Sequence, residues 1–266
     1  MNVIALVFAA GVRDLLRNRW LAAYGIGFFV VGEGLFWFGG TGPQVALSLL
    51  NIVLLVVPLV ALAFGVIHTH SSREFVELLL SQPVARDRLF IGQYLGLATP
   101  FAVAFLIGAG APFALHGGAG AGLSVVLSLL GAGVALTYIC IGIAMWIALR
   151  SDDRLRAMGA ALGTWLAVTV LYDGVILAFV SAFDAWPVER PVLGLMLANP
   201  IDTARVLVMT RLDVSALMGY TGALFERAFG SAIGTTIAVL ALCAWCAIYL
   251  SRYYILACVL LVATVC

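Results

Sequence analysis

Residues 68–88 read HTHSSREFVELLLSQPVARDR, and six charges fall between Arg73 and Arg88 in a chain that is 64% hydrophobic and only 10% charged. Long apolar runs flank this stretch on both sides, so it is a polar connection between two buried segments. Arg73 to Leu80 fits a short amphipathic helix, with Phe75, Leu78 and Leu79 near one face and Arg73, Glu74 and Glu77 elsewhere. Pro83 ends it, because proline lacks an N–H and restricts Gln82 before it. Such a helix is either a solvated link or a docking element for a soluble partner.

Working outward, a mean hydropathy of +1.14 over 266 residues excludes an ordinary soluble domain, in which about 45–50% of residues are apolar. A helix needs about 20 apolar residues to cross a bilayer. Six segments qualify: Trp20–Gly39, Gln44–Ile67, Phe90–Leu115, Gly122–Leu149, Ala157–Phe183 and Ser231–Leu250. The predicted fold class is an all-α membrane protein of six transmembrane helices, with an N-terminal interfacial helix and a cytoplasmic coupling helix. Within residues 1–266, the interfacial helix covers 1–19 and the six-span bundle 20–250. The coupling loop is 68–89, a segment on the far side is 184–230, and a tail of unassigned role is 251–266.

Arginines set the orientation. Arg13, Arg17 and Arg19, then Arg73, Arg86 and Arg88, then Arg150, Arg154 and Arg156 fall on one side of the alternating spans. Arg beside span ends marks the cytoplasmic side, so both termini are expected inside. Segment 184–230 carries four Arg against five acids and is expected outside, in the periplasm. Ile4, Val7, Phe8, Leu15 and Leu16 recur at helical spacing among arginines, as in a helix lying in the interface. No basic region precedes the first apolar residues, so a cleaved leader is not expected.

Several functions are excluded or disfavoured. All 14 basic residues are Arg, and a phosphate-binding P-loop needs a Lys. The chain is therefore not a P-loop ATPase by itself. A net charge of +1 offers no basic patch for nucleic acid. Cys140, Cys243, Cys246, Cys258 and Cys266 lie in or beside apolar runs and form no secreted disulfide framework. Cys243 and Cys246 share a helical face, a weak soft-metal signal outweighed by ordinary packing. His68 and His70 diverge on a helix, so no metal site is expected. With no nucleophile, base and orienter set, the chain is read as non-enzymatic.

Two acids, Glu33 and Asp173, lie well within spans. Intramembrane acids face a bundle interior or a wet pathway, which makes both candidates for a substrate path, against a structural pairing role. Asn199 can cap a helix whose first residue is Pro200 and whose positive end favours Asp202. Glycine pairs at 92/96, 159/163 and 230/234 permit close helix packing.

Residues 76–96, VELLLSQPVARDRLFIGQYLG, resemble the cytoplasmic loop and start of the third span of ABC-2 type transporter permeases. The matching positions are Glu77, Leu78, Leu79, Leu80, Ser81, Pro83, Arg86, Gly92 and Gly96. Arg73-Glu74-Phe75 stands where members often have a Gly-Thr turn, and Gln93 replaces a usual Lys. LANPIDTARVLVMTRLD (197–213), with Asn199, Pro200, Asp202 and Arg205, and LMGYTGALFERAFGS (217–231), with Gly219 to Ala223, are similar to the permease group that serves nitrous-oxide reductase maturation. The C-terminal tail departs from that group, whose members usually end in a short basic segment.

The resemblance implies a permease of an ABC transporter in a bacterial inner membrane. It implies ATP on a partner ATPase subunit and no cofactor on this chain. Arg73, Glu74, Glu77, Leu78, Leu79, Ser81, Pro83 and Arg86 would couple to that ATPase. A second permease copy, membrane lipid and a periplasmic copper-related maturation protein would complete the partners, the last meeting Asn199, Asp202 and Arg205. The role implied is support of copper–sulfur centre maturation. An ABC-2 exporter of another substrate and a self-contained secondary transporter are the alternatives; the latter predicts repeated halves, which the sequence does not display.

Overall fold

A computed structural model describes residues 3–73, 76, 78, 86–116, 122–183, 189–212 and 234–251. The described residues are helical with short connections, and no strand occurs among them. Among the described residues, six helices are long and apolar enough to cross a membrane: Arg19–Trp37, Gly42–Ser71, Arg88–Leu115, Leu123–Arg150, Arg154–Ala182 and Gly234–Ser251. They coincide in order with the six expected spans.

Local chemistry sets their ends. Asn18 caps the first span, its side-chain oxygen accepting from Trp20 N–H at 3.0 Å, and Asp153 caps the fifth through Leu155 N–H at 2.9 Å. At the start of the second, Gln44 reaches back to accept from Thr41 N–H at 3.2 Å. Each of these caps satisfies a donor that the first helical turn leaves open.

The core lies between the second and fourth spans, where Leu49, Leu50, Val53, Leu129, Leu136 and Ile139 are fully shielded. The third span joins the first through aromatic edges, with Phe28 and Phe105 ring centroids 5.2 Å apart. Helix α1 (Val3–Leu16) lies along the third span. Gly92 and Gly96 make this approach possible. A Cβ on Gly96 would stand 3.3 Å from Phe8 O, and one on Gly92 3.0 Å from Val7 Cβ. This glycine pair is a packing surface for α1. Gly159 and Gly163 in the fifth span meet nothing within 4 Å.

The fifth span stands apart from that core. Its apolar window is 6% buried against 61% for the fourth span, so a few specific contacts hold it. It is also interrupted: Ala167–Leu171 form a π-helical turn, with Tyr172 N–H donating to Ala167 O.

Part of the segment assigned to the far side folds back instead. Helices α2 (Glu189–Ala198) and α3 (Pro200–Met209) form a hairpin. Its turn at Asn199 reaches Val168 O, which is 14 residues from either end of the Arg154–Ala182 span. At 1.5 Å per residue that is roughly 21 Å along the helix from each end, so the hairpin is re-entrant. Mixed polarity hid this burial, because Asn199, Asp202 and Thr203 are shielded while pairing with one another and with the fifth span.

Candidate functional site

The turn of the hairpin builds a buried polar cluster from residues far apart in sequence. Pro200, without an N–H, opens α3, and Asn199 caps it by accepting from Ile201 N–H at 3.0 Å. The Asn199 amide nitrogen donates to Asp202 Oδ2 at 2.9 Å and to Val168 O, inside the π-helical turn, at 2.9 Å. Thr203 returns its hydroxyl to Asn199 O at 2.9 Å. Further ties hold α2: Tyr172 O–H donates to Leu195 O at 2.7 Å, and Trp245 Nε1–H donates to Leu197 O at 3.2 Å.

Arg205 completes the cluster. Its Nη1 lies 3.2 Å from Asp173 Oδ2 and 3.3 Å from Asp202 Oδ1. Two carboxylates thus share one guanidinium. Asp202 is shielded from water, so its carboxyl depends on Arg205 and on the Asn199 amide for its polar partners. The sequence separates Asp173, as a pathway acid, from Asn199, Asp202 and Arg205, as a partner-facing group. The structure brings all four together.

Glu33 belongs to a different cluster, beside the end of the third span. His116 Nδ1 is 3.8 Å from Glu33 Oε1 and 3.0 Å from Pro112 O, and the ring stacks on Phe36 at 4.4 Å. Glu33 Oε1 is shielded from solvent without a hydrogen bond. His116 was missed because nothing in the linear pattern says that the first and third spans are neighbours.

At the opposite, arginine-rich end, Arg73 Nη2 donates to Asp152 Oδ1 at 3.0 Å. This joins the connection after the second span to the one just before the fifth. Gln93 Nε2 donates to Ser72 Oγ at 3.0 Å, and Ser72 Oγ–H donates to His68 O at 2.9 Å. Leu78 is exposed. Glu74, Glu77, Leu79, Ser81 and Pro83 lie outside the described residues, as do the Arg86 side chain and the Gly219–Ala223 motif.

The histidines separate as expected: His68 Nδ1 faces Asp14 at 4.0 Å, while His70 Nε2 is buried without a hydrogen bond. Cys243 and Cys246 both line a cleft between the fourth and sixth spans. Among the described residues, no three His, Cys, Asp or Glu side chains are grouped to hold a metal.

The family model of ABC-2 family transporter proteins matches residues 12–260. A probable ABC transporter permease protein NosY from Pseudomonas aeruginosa is 31% identical over 242 aligned positions, covering 82% of this chain and 86% of the relative. A second protein of that description, from Stutzerimonas stutzeri, is 26% identical over 282 aligned positions, covering 96% and 97%.

Proposed function

The chain belongs to the ABC-2 family of transporter proteins, a multi-pass membrane permease that works with an ATPase subunit, and from that premise we propose how it is driven and what it serves. The arginine-rich end is the cytoplasmic face of a bacterial inner membrane, and the loop around Arg73 to Arg86 is where the ATPase pushes. Two copies of the chain flank one pathway. The transporter supports maturation of the copper–sulfur centre of nitrous-oxide reductase, together with a periplasmic partner. The likeness to two NosY permeases supports this assignment, as do the motifs at 197–213 and 217–231.

One observation carries the mechanical part. The weakly buried fifth span is tied at both ends: Asp152, two residues before it, holds Arg73, and Asp173, in its far half, holds Arg205 of the hairpin. Movement of the loop at Arg73 is passed to the fifth span as a rod. The span pulls on the hairpin through the Asp173–Arg205 pair and the Asn199 contact to the π-helical turn. That turn lets the rod change its twist locally without breaking, a use to which π-helical turns at functional sites are suited.

Co-purification and coupled assays test the proposal. The wild-type complex is expected to retain its ATPase and to couple hydrolysis to transport. Arg73→Asp is expected to uncouple hydrolysis from transport, and the swap Arg73→Asp with Asp152→Arg to restore coupling in part. Transport by the isolated chain without an ATPase would overturn the reading.

A further inference from the structure

We propose that the cleft between the fourth and sixth spans binds an anionic phospholipid, its phosphate held by Arg211 and Ser124 and one acyl chain lying along Gly131 and Ala135. The cleft encloses about 850 Å³, within the range of about 300–1,000 Å³ that small-molecule sites occupy. Among the described residues that line it, the one charged side chain, Arg211, lies at one end beside Ser124 and Thr235. Ser124 is the second residue of the fourth span, Thr235 the second of the sixth, and Arg211 follows the hairpin. From there the wall runs along Leu127, Gly131, Ala135 and Val239 towards Leu250 at the other end of the sixth span.

The shape follows from small side chains. A Cβ on Gly131 would meet nothing within 4 Å, so the groove floor is open where a larger residue would close it. Leu127 and Val239 on its rims are exposed, at 58% and 44%. A lipid can therefore enter sideways from the bilayer.

Charge selects the occupant. Arg211 is exposed, and among the described residues no carboxylate pairs with it. Among the described residues, no acid lines the cleft. A cation at a span end attracts anionic headgroups, and a guanidinium matches phosphate oxygens geometrically. The apolar wall below it adds nothing for a free phosphate ion but accommodates an acyl chain. Because Arg211 and Leu207 belong to the hairpin side of the cleft, the lipid would also brace the hairpin against the fourth and sixth spans.

Native mass spectrometry of the full chain, released from detergent with phosphatidylglycerol or phosphatidylcholine added, tests this. The wild-type chain is expected to retain phosphatidylglycerol about fivefold better, because choline offsets the phosphate charge of phosphatidylcholine that a basic residue at the membrane surface would otherwise attract. Arg211→Gln should erase that preference, and Gly131→Leu, which fills open space, should weaken retention of both lipids. Arg156→Gln, at the opposite end, should change neither. Equal retention of the two lipids by the wild-type chain overturns the proposal, as does an unaltered preference in Arg211→Gln. Displacement of phosphatidylglycerol by millimolar inorganic phosphate would make this a free-anion site. Oxidative cross-linking of native Cys243 between two copies would show that a second chain covers the cleft. Either result overturns it too.

Discussion

Arg205 Nη1 stands 3.2 Å from Asp173 Oδ2 across 32 residues of sequence, and the same nitrogen is 3.3 Å from Asp202 Oδ1. The pair fastens a re-entrant hairpin to a span that buries little else. Removing the cation leaves two acids facing each other, whereas removing one acid leaves a balanced pair. Arg205→Met is therefore expected to destabilise the chain by about 1–3 kcal/mol, moderated by the partial exposure of both partners. Asp173→Asn should cost less, and adding it to Arg205→Met should recover part of the loss. Thermal unfolding of the purified variants and their double-mutant cycle measure this; additive losses would show that the two residues do not interact.

Asp202 is held by the Asn199 amide as well as by Arg205. Asp202→Asn keeps an acceptor for that amide and loses one of the two carboxylates on Arg205. It is expected to lower the melting temperature by less than Arg205→Met does; an equal or larger loss would contradict this arrangement.

Close approach of backbones gives a third prediction. A Cβ on Gly108 of the third span would collide with the carbonyl of Gly25 in the first. Gly108→Ala is expected to cost about 1–3 kcal/mol, as over-packing of a tight interface does. Gly163→Ala, with nothing within 4 Å of its Cβ, should leave the melting temperature of the single chain unchanged or slightly raised, since alanine favours a helix interior over glycine. If the proposed second copy packs on this face, chemical cross-linking should show Gly163→Leu weakening the dimer.

The spans were legible because hydropathy over 20 residues is a long-range average that no single polar residue upsets, as Asp173 within the fifth span illustrates. The cap at Asn199 and the opening Pro200 were legible for a local reason: the cap acts on Ile201, two residues away. The partnership of Asp173 with Arg205 was not, since it depends on the hairpin folding back. Glu189, Arg190, Asp202 and Arg205 give that hairpin the composition of an exposed loop. The π-helical turn has no residue signature either. It is registered only by the Tyr172 N–H reaching back to Ala167 O and by Asn199 meeting Val168 O.

Glu33 presents the opposite case from Asp173. His116 Nδ1 lies within hydrogen-bonding distance of Pro112 O, at 3.0 Å, while Glu33 Oε1 at 3.8 Å is beyond it. The carboxylate therefore loses solvent at one oxygen without gaining a hydrogen bond in return. A group so placed is a poor fold stabiliser, which is compatible with the proposal that Glu33 faces a transport route. Glu33→Gln is expected to keep or raise the melting temperature while lowering ATP-driven transport in reconstituted vesicles. Asp173→Asn should lower both, because it also loosens the hairpin. If Glu33→Gln instead unfolds the chain as readily as Arg205→Met, the Glu33–His116 contact is a structural ion pair and the acid has no place on the route.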